Sequence, residues 1–143
     1  MYLDTSVVVA YYSPEALSRR AERLIRTHAR PAISDLTEVE FCSALSRKVR
    51  LGELSAEDAT QIFLRFTVHI EDGLYTRVPV ERRHYEVARD WLARFALALR
   101  TLDALHLAVA AMEGLRLVTA DTAMAQVAVT LGVDASRLRA KSP

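Results

Sequence analysis

The feature that most constrains this chain is the alternation of short extended apolar segments with longer helical stretches. Extended segments are predicted at residues 1–4, 31–34, 74–80 and 115–119, and helical stretches separate them. Parallel strands need crossover connections of a dozen or more residues, which helices usually provide. The sequence therefore predicts an α/β fold, in which a short parallel sheet carries helices on both faces.

Cap and turn residues set the predicted helix ends. Ser13-Pro14-Glu15 supplies an N-cap, a first-turn proline and an acid at the positive helix end. A helix is therefore predicted from Ser13 to about His28. Gly52 is expected to end the second helix. The five later helices are predicted from Thr37 to Leu51, from Ser55 to about Ile70, from Glu81 to Leu97, from Thr101 to Gly114 and from Thr122 to Leu131.

Length and composition indicate one globular domain over residues 1–143. No repeat, low-complexity tract or Gly/Ser linker divides the 143 residues. Residues 133–140 are a poor strand sequence, so an irregular tail is expected from about residue 133. The apolar runs fall short of the roughly 18 residues of a membrane span. The sequence shows no secretion signal, and Cys42 is its single cysteine, so a cytoplasmic protein is expected.

Four acidic residues follow the predicted strands or begin the next helix. Asp4 ends the first strand, Glu40 and Asp103 lie in first helical turns, and Asp121 enters the last helix. In parallel sheets, ligand sites form beyond the carboxyl ends of the strands. Each acid also has a structural explanation as an Asx turn, a capping residue or a partner of the helix dipole. Taken singly, the helix-start acids are better explained in that way.

Asp4 and Asp103 fit those structural roles least well. Asp4 lies among apolar residues, where an unpaired carboxylate is costly to bury, and Asp103 begins a helix that is apolar nearly all round. Several carboxylates brought together repel one another unless a cation neutralises them. Mg²⁺ and Mn²⁺ prefer oxygen ligands, whereas the four histidines are scattered and give no zinc-binding spacing. The acids therefore favour a Mg²⁺ or Mn²⁺ site that can activate water.

Four segments in order resemble the PIN-domain ribonucleases, and more narrowly the VapC-type toxins of bacterial toxin–antitoxin pairs. The segments are Leu3–Ser6, Ser34–Glu40, Leu102–Ala108 and Leu117–Asp121, and the match runs from residue 3 to about residue 132. The resemblance implies a PIN-like three-layer α/β/α sandwich with a short central parallel sheet. It also implies a Mg²⁺- or Mn²⁺-dependent endoribonuclease.

The same resemblance assigns residues and partners. Substrates in this family are often structured RNAs such as transfer or ribosomal RNA. A small cognate antitoxin blocks the acidic site, and the toxin commonly forms a homodimer. The residues that the resemblance implies as catalytic and metal-binding are Asp4, Glu40, Asp103 and Asp121, with Ser6 and Thr119 as supporting hydroxyl groups.

Two positions need a choice between interpretations. On a helical wheel for residues 37–50, Glu38 falls in the apolar stripe, which favours it as the inward-facing acid, whereas the resemblance favours Glu40. His106 lies three residues after Asp103 and is tempting as a general base. A packed, hydrogen-bonded histidine is the better expectation, because metal-bound water does not need a histidine base.

Other functions fit the sequence less well. Haloacid dehalogenase phosphatases need a second Asp two residues after the first, where this chain has Ser6. Those phosphatases and the response-regulator receivers also need a late lysine, and Lys141 is poorly placed. Two alternatives remain, a catalytically silent PIN-like RNA-binding or scaffold module and a PIN nuclease that processes RNA without being a toxin.

Overall fold

A computed structural model describes residues 1–140. Its strands are β1 (Tyr2–Leu3), β2 (Ala32–Ser34), β3 (Thr76–Val78), β4 (Leu117–Thr119) and β5 (Ala135–Arg137). They form one parallel sheet with the order β3-β2-β1-β4-β5, so β1 is the central strand and pairs with β2 on one side and β4 on the other.

Helices cover both faces of this sheet, so the predicted three-layer α/β/α sandwich is confirmed. The described helices are α1 (Thr5–Tyr12), α2 (Ser18–Thr27), α3 (Asp35–Arg50), α4 (Ala56–Glu71), α5 (Arg82–Leu92), α6 (Thr101–Met112) and α7 (Thr122–Leu131). None of these helices within residues 1–140 is long and apolar enough to cross a membrane.

Side chains of successive strand residues point to opposite faces of the sheet and therefore contribute to two hydrophobic cores, one on each face. Leu3, Ile33 and Val118 pack with α1 to α4 on one face. Tyr2 and Leu117 pack with α6 and α7 on the other face. Because both faces are covered there, the three central strands β1, β2 and β4 are buried throughout, whereas the edge strands β3 and β5 are partly exposed.

The first helix was not predicted. Residues 5–12 form α1, and Ser13 is its C-cap, whereas the sequence placed the start of a helix at Ser13. The next helix, α2, begins only at Ser18. α1 is buried on nearly every side, so its sequence carries no amphipathic stripe.

The expectation of an irregular tail from about residue 133 fails at residues 135–137. Ala135–Arg137 form β5, which pairs in parallel with β4, and the Leu138 amide extends the pairing to the Thr119 carbonyl at 2.8 Å. β5 is a half-exposed edge strand, so backbone hydrogen bonds form it without an apolar side-chain pattern. Residues 141–143 of the predicted domain lie outside the described residues.

The predicted helix from Glu81 to Leu97 is also too long. α5 ends at Leu92, and Phe95 adopts a φ of 53°, which a helix does not allow. Residues 93–100 therefore form a loop, and Arg100 is the N-cap residue of α6. This loop brings Arg100 to the carboxyl edge of the sheet.

Candidate acidic active site

The predicted acids reach one edge of the sheet because parallel strands all end there. Asp4 directly follows β1 and Asp121 comes two residues after β4, the neighbouring strand. The Asp4 amide donates to the Val118 carbonyl at 2.9 Å, which joins the two strands at this point. Glu40 comes from α3, and Asp103 comes from the first turn of α6. Four different segments thus supply the acids.

Two hydroxyl groups hold the buried carboxylate of Asp4, which is only 5% exposed. Its Oδ2 accepts hydrogen bonds from Ser6 Oγ at 2.5 Å and from Thr119 Oγ1 at 2.8 Å. Ser6 Oγ in turn accepts from the Ala120 amide at 2.9 Å. Donors of this kind compensate the cost of burying a carboxylate. Both residues predicted as supporting hydroxyls therefore contact Asp4.

Thr119 also links Asp4 to Asp121. Its Oγ1 accepts from the Asp121 amide at 2.9 Å while it donates to Asp4. Asp121 is the N-cap of α7 as well, because its Oδ1 accepts from the Met124 amide at 3.0 Å. The N-cap role predicted for Asp121 is therefore present, and its other oxygen, Oδ2, lies near Arg100.

Glu40, and not Glu38, faces the other acids. Glu40 Oε2 accepts from Thr5 Oγ1 at 2.6 Å and from His106 Nε2 at 2.5 Å, and the same His106 nitrogen lies 3.7 Å from Asp4 Oδ1. Glu38 pairs with Arg77 at 2.8 Å beside β3. The helical wheel was therefore wrong, because α3 packs against both α1 and α4 and has more than one covered side.

The environment of Glu40 favours its ionised form. Burial by itself raises the pKa of this carboxyl group, but the hydrogen bond and attraction of His106 oppose burial, and so do the Thr5 hydroxyl and the Arg100 charge. The net result is a pKa below the usual value. Glu40 is thus held as a carboxylate, the form that a metal ion binds.

His106 lies in a buried chain of hydrogen bonds that ends at Glu40. Ser34 Oγ accepts from the Thr37 amide, so its own hydroxyl hydrogen is free for Tyr2 Oη, 2.7 Å away. Tyr2 Oη can then donate to His106 Nδ1 at 2.6 Å, which leaves the hydrogen on Nε2 for Glu40. His106 is fully buried, as expected for a packed, hydrogen-bonded histidine.

Sequence reasoning missed the contributions of Tyr2, Thr5 and Arg100. Tyr2 lies two residues before Asp4 and Thr5 directly after it, and the three-residue spacing of Asp103 and His106 places both on one side of α6. Those neighbours were visible in the sequence, but their contacts depend on β1 lying between β2 and β4. Nothing in the sequence distinguished Arg100 from the other arginines.

Arg100 connects Asp103 to Asp121. Its Nε donates to Asp103 Oδ2 at 2.9 Å, and its Nη2 lies 3.5 Å from Asp121 Oδ2. The Asp103 hydrogen bond and charge raise the pKa of the guanidinium, and the charges of Asp121 and Asp4 add to this effect. A positive group therefore already neutralises part of the acidic site.

The donor set suits a hard divalent cation. Asp4, Glu40, Asp103 and Asp121 offer carboxylate oxygens, which Mg²⁺ and Mn²⁺ prefer. Within residues 1–140, no group of three or more His, Cys, Asp or Glu side chains is arranged to hold a metal ion as it stands. The guanidinium of Arg100 acts as a stand-in cation, which shows that two of these acids already share one positive group.

A groove of about 780 Å³ leads away from the acids along α3. Thr5, Ser6, Glu40 and Arg100 lie at its acidic end. Apolar side chains follow, and the far part is lined by two cations and by the acids Glu15 and Glu53. Those further lining residues include Val39, Leu51, Arg47 and Lys48.

The fold and its acidic edge define a known class of protein. Residues 1–130 match the PIN domain, and the chain belongs to the PIN-domain family. Within that family, it is similar to Ribonuclease VapC46 of Mycobacterium tuberculosis, with 32% identity over 136 residues and 93% of each chain covered.

Solved structures share the fold. FitAcB from Neisseria gonorrhoeae superposes with a TM-score of 0.70 at 16% identity, with 96% of each chain covered. VapC20 of Mycobacterium tuberculosis, a sarcin-ricin loop cleaving toxin, superposes with a TM-score of 0.64 at 21% identity. That match covers 81% of this chain and 85% of VapC20.

Proposed function

We propose that this protein is a metal-dependent endoribonuclease of the VapC type, the toxin of a type II toxin–antitoxin pair that acts in the cytoplasm. The observation that carries the proposal is the convergence of the four acids at the carboxyl edge of a PIN-type sheet. The similarity to Ribonuclease VapC46 supports RNA as the substrate.

The acids would hold the metal ion, and their neighbours keep them in position. Asp4, Glu40, Asp103 and Asp121 would bind Mg²⁺ or Mn²⁺, which supplies an activated water and stabilises charge on a phosphoryl oxygen when bound. The chain's own contribution is orientation. Ser6 and Thr119 fix one oxygen of Asp4, while Thr5 and His106 fix Oε2 of Glu40.

The groove beside the acids offers a path for the RNA strand. Arg47 lies in its far part, and an arginine fork is suited to phosphate oxygens. Lys48 is already paired with Glu15 at 2.7 Å and with Glu53 at 3.4 Å. Arg47 is therefore the better candidate for a phosphate contact along this groove, with transfer or ribosomal RNA as the proposed substrate class.

A cognate antitoxin and a second copy of the chain complete the proposal. Solved complexes with the same fold include a toxin–antitoxin complex from Klebsiella pneumoniae. Val39 and Leu51 line the groove and are 69% and 60% exposed, so an antitoxin that covers the groove would bury apolar surface. Sedimentation of the free chain tests the homodimer.

RNA cleavage with matched variants tests the proposal. The purified protein is incubated with total RNA and Mg²⁺ or Mn²⁺, with and without a chelator. Asp4→Asn and Asp103→Asn should abolish discrete cleavage products. Asp134→Asn is the control. Asp134 pairs with Arg116 at the amino ends of the strands, away from the acids, so this substitution should leave cleavage unchanged.

Five results would each contradict a part of the proposal. Cleavage that survives chelation, or equal activity of Asp4→Asn and Asp134→Asn, rules out the acidic metal site. RNA binding without cleavage favours the silent RNA-binding or scaffold module. Cleavage without growth arrest on expression, or growth arrest that a neighbouring small gene product does not relieve, favours an RNA-processing nuclease that is not a toxin.

A further inference from the structure

Arg100 differs from the other residues that contact the four acids, because it carries a full positive charge at the end of a long, exposed side chain. Its guanidinium contacts Asp103 at 2.9 Å and Asp121 at 3.5 Å. Yet its side chain is 77% exposed, whereas Asp103 and Asp121 are only 18% and 33% exposed. The acids are therefore set into the protein, and the cation lies over them from the solvent side.

The contacts of Asp4 and Glu40 are of another kind. Asp4 is held by the hydroxyl groups of Ser6 and Thr119, and Glu40 by Thr5 and the buried His106. Those partners lie inside the fold and cannot leave without disturbing the core. Of these contacts to the four acids, those of Arg100 alone can be exchanged by rotation of one exposed side chain.

We propose that Arg100 is a resident counter-ion of the acidic site, which competes with the divalent cation for Asp103 and Asp121 and withdraws into the groove when the cation binds. The inference rests on the proposed function, since it concerns the same metal site. Arg100 neutralises the acids in the metal-free protein, where like charges would otherwise repel one another. Its withdrawal exposes the carboxylate oxygens that a hard cation prefers.

The competition lowers the apparent metal affinity but only moderately. Exposed ion pairs are weak, so Arg100 is easily displaced, and the two contacts together correspond to a factor of about 2 to 30 in an equilibrium constant. Arg100→Gln should therefore bind Mg²⁺ or Mn²⁺ about 2- to 30-fold more tightly than the wild type. The groove that Arg100 lines gives the displaced side chain room to move.

Metal titration by calorimetry, with no RNA present, measures this effect directly. Arg116→Gln is the matched control, since it removes an exposed arginine paired with Asp134 at 3.0 Å and changes the net charge equally. Arg100→Lys keeps the charge but lacks the Nε hydrogen that Asp103 accepts, so its affinity should lie between those of the wild type and Arg100→Gln. Asp4→Asn shows whether the titration reports the acidic site.

A second readout follows the arginine itself. In ¹⁵N-labelled protein, the Arg100 Nε–H resonance, assigned by its loss in Arg100→Gln, should shift on addition of Mg²⁺ and return on chelation. The Arg116 resonance should not move. This measurement separates displacement of Arg100 from a general effect of positive charge on metal affinity.

The outcomes distinguish failure of the counter-ion role of Arg100 from failure of the proposed metal site. Equal affinities of the wild type and Arg100→Gln, or an unmoved Arg100 resonance in a metal-bound protein, overturn the counter-ion role and leave the metal site standing. Arg100→Lys with the affinity of Arg100→Gln has the same meaning, because a positive charge at this position would then not compete with the metal ion. Failure of every variant to bind metal overturns both the counter-ion role and the metal-dependent function.

Discussion

Replacing Thr119 with valine tests whether one hydroxyl group holds two site acids together. Thr119 is fully buried at the end of β4, where its Oγ1 donates to Asp4 at 2.8 Å and accepts from the Asp121 amide at 2.9 Å. Valine has nearly the same shape but no hydroxyl, so the substitution removes both hydrogen bonds and leaves little empty space.

The cost follows from the burial of Asp4. A hydrogen bond to a charged group contributes about 1.5–3 kcal/mol to stability, and a carboxylate that is 5% exposed cannot regain the lost donor from water. Ser6 still donates to the same oxygen, so Asp4 is not left unpaired. The hydrogen bond from the Asp121 amide adds less, because its acceptor is a neutral hydroxyl and Asp121 is only half-buried. We expect Thr119→Val to lose about 2–3 kcal/mol, or roughly 6–12 °C in Tm.

Urea unfolding followed by circular dichroism, in the presence of a chelator, measures this loss. Thr119→Ser is the control, since it keeps the hydroxyl and removes one methyl group at a cost of about 1 kcal/mol. The urea m-value should stay constant across the three proteins, so that the midpoints report stability alone. A midpoint for Thr119→Val equal to or above that of Thr119→Ser would refute the bridging role of the hydroxyl.

Three further predictions concern the surroundings of Glu40. Glu40→Gln should abolish metal-dependent RNA cleavage, whereas Glu38→Gln should leave it near the wild-type rate, and equal rates would point to the wrong acid. Because the pKa of Glu40 lies below its usual 4.5, its contribution to the free energy of unfolding is complete above about pH 4.5 and disappears as the pH falls through the lower folded-state value. Urea midpoints of the chelated protein from about pH 6 down to pH 3 should show this loss, and Glu40→Gln should lack it. Tyr2→Phe should cost about 1–3 kcal/mol in thermal unfolding, because the buried Ser34 hydroxyl and His106 Nδ1 lose their shared partner, and no loss would contradict the hydrogen-bonded chain.

The acidic residues could be found from the sequence because their prediction needs no strand order. Every parallel strand ends at the same edge, so Asp4 and Asp121 were expected there before β1 and β4 were known to be neighbours. The orientation of Glu40 was not available from the wheel, because a helix with covered sides against both α1 and α4 has no single inward stripe. The family resemblance supplied that orientation instead.

Elements formed by tertiary contacts were harder to predict. α1 is apolar on nearly all sides, and its start signal, the Asp4 N-cap, was interpreted as an Asx turn or a metal ligand and not as a helix cap. β5 has weak strand propensity and exists because its backbone completes the pairing of β4. The position of Arg100 depends on the 93–100 loop, whose path includes the left-handed conformation of Phe95. Neither a hydrophobic period nor strand propensity predicts these three features.

The Thr119 bridge also determines when the acidic centre can assemble during protein synthesis. Thr119 joins Asp4 and Asp121, which are separated by more than a hundred residues of sequence, and β1 has one of its two neighbours only after β4 exists. During translation, the nascent chain exposes Asp4 first, long before the residues that fix its carboxylate leave the ribosome. The acidic centre therefore assembles only after residue 121 has emerged, so that a chain released before that point lacks the assembled centre.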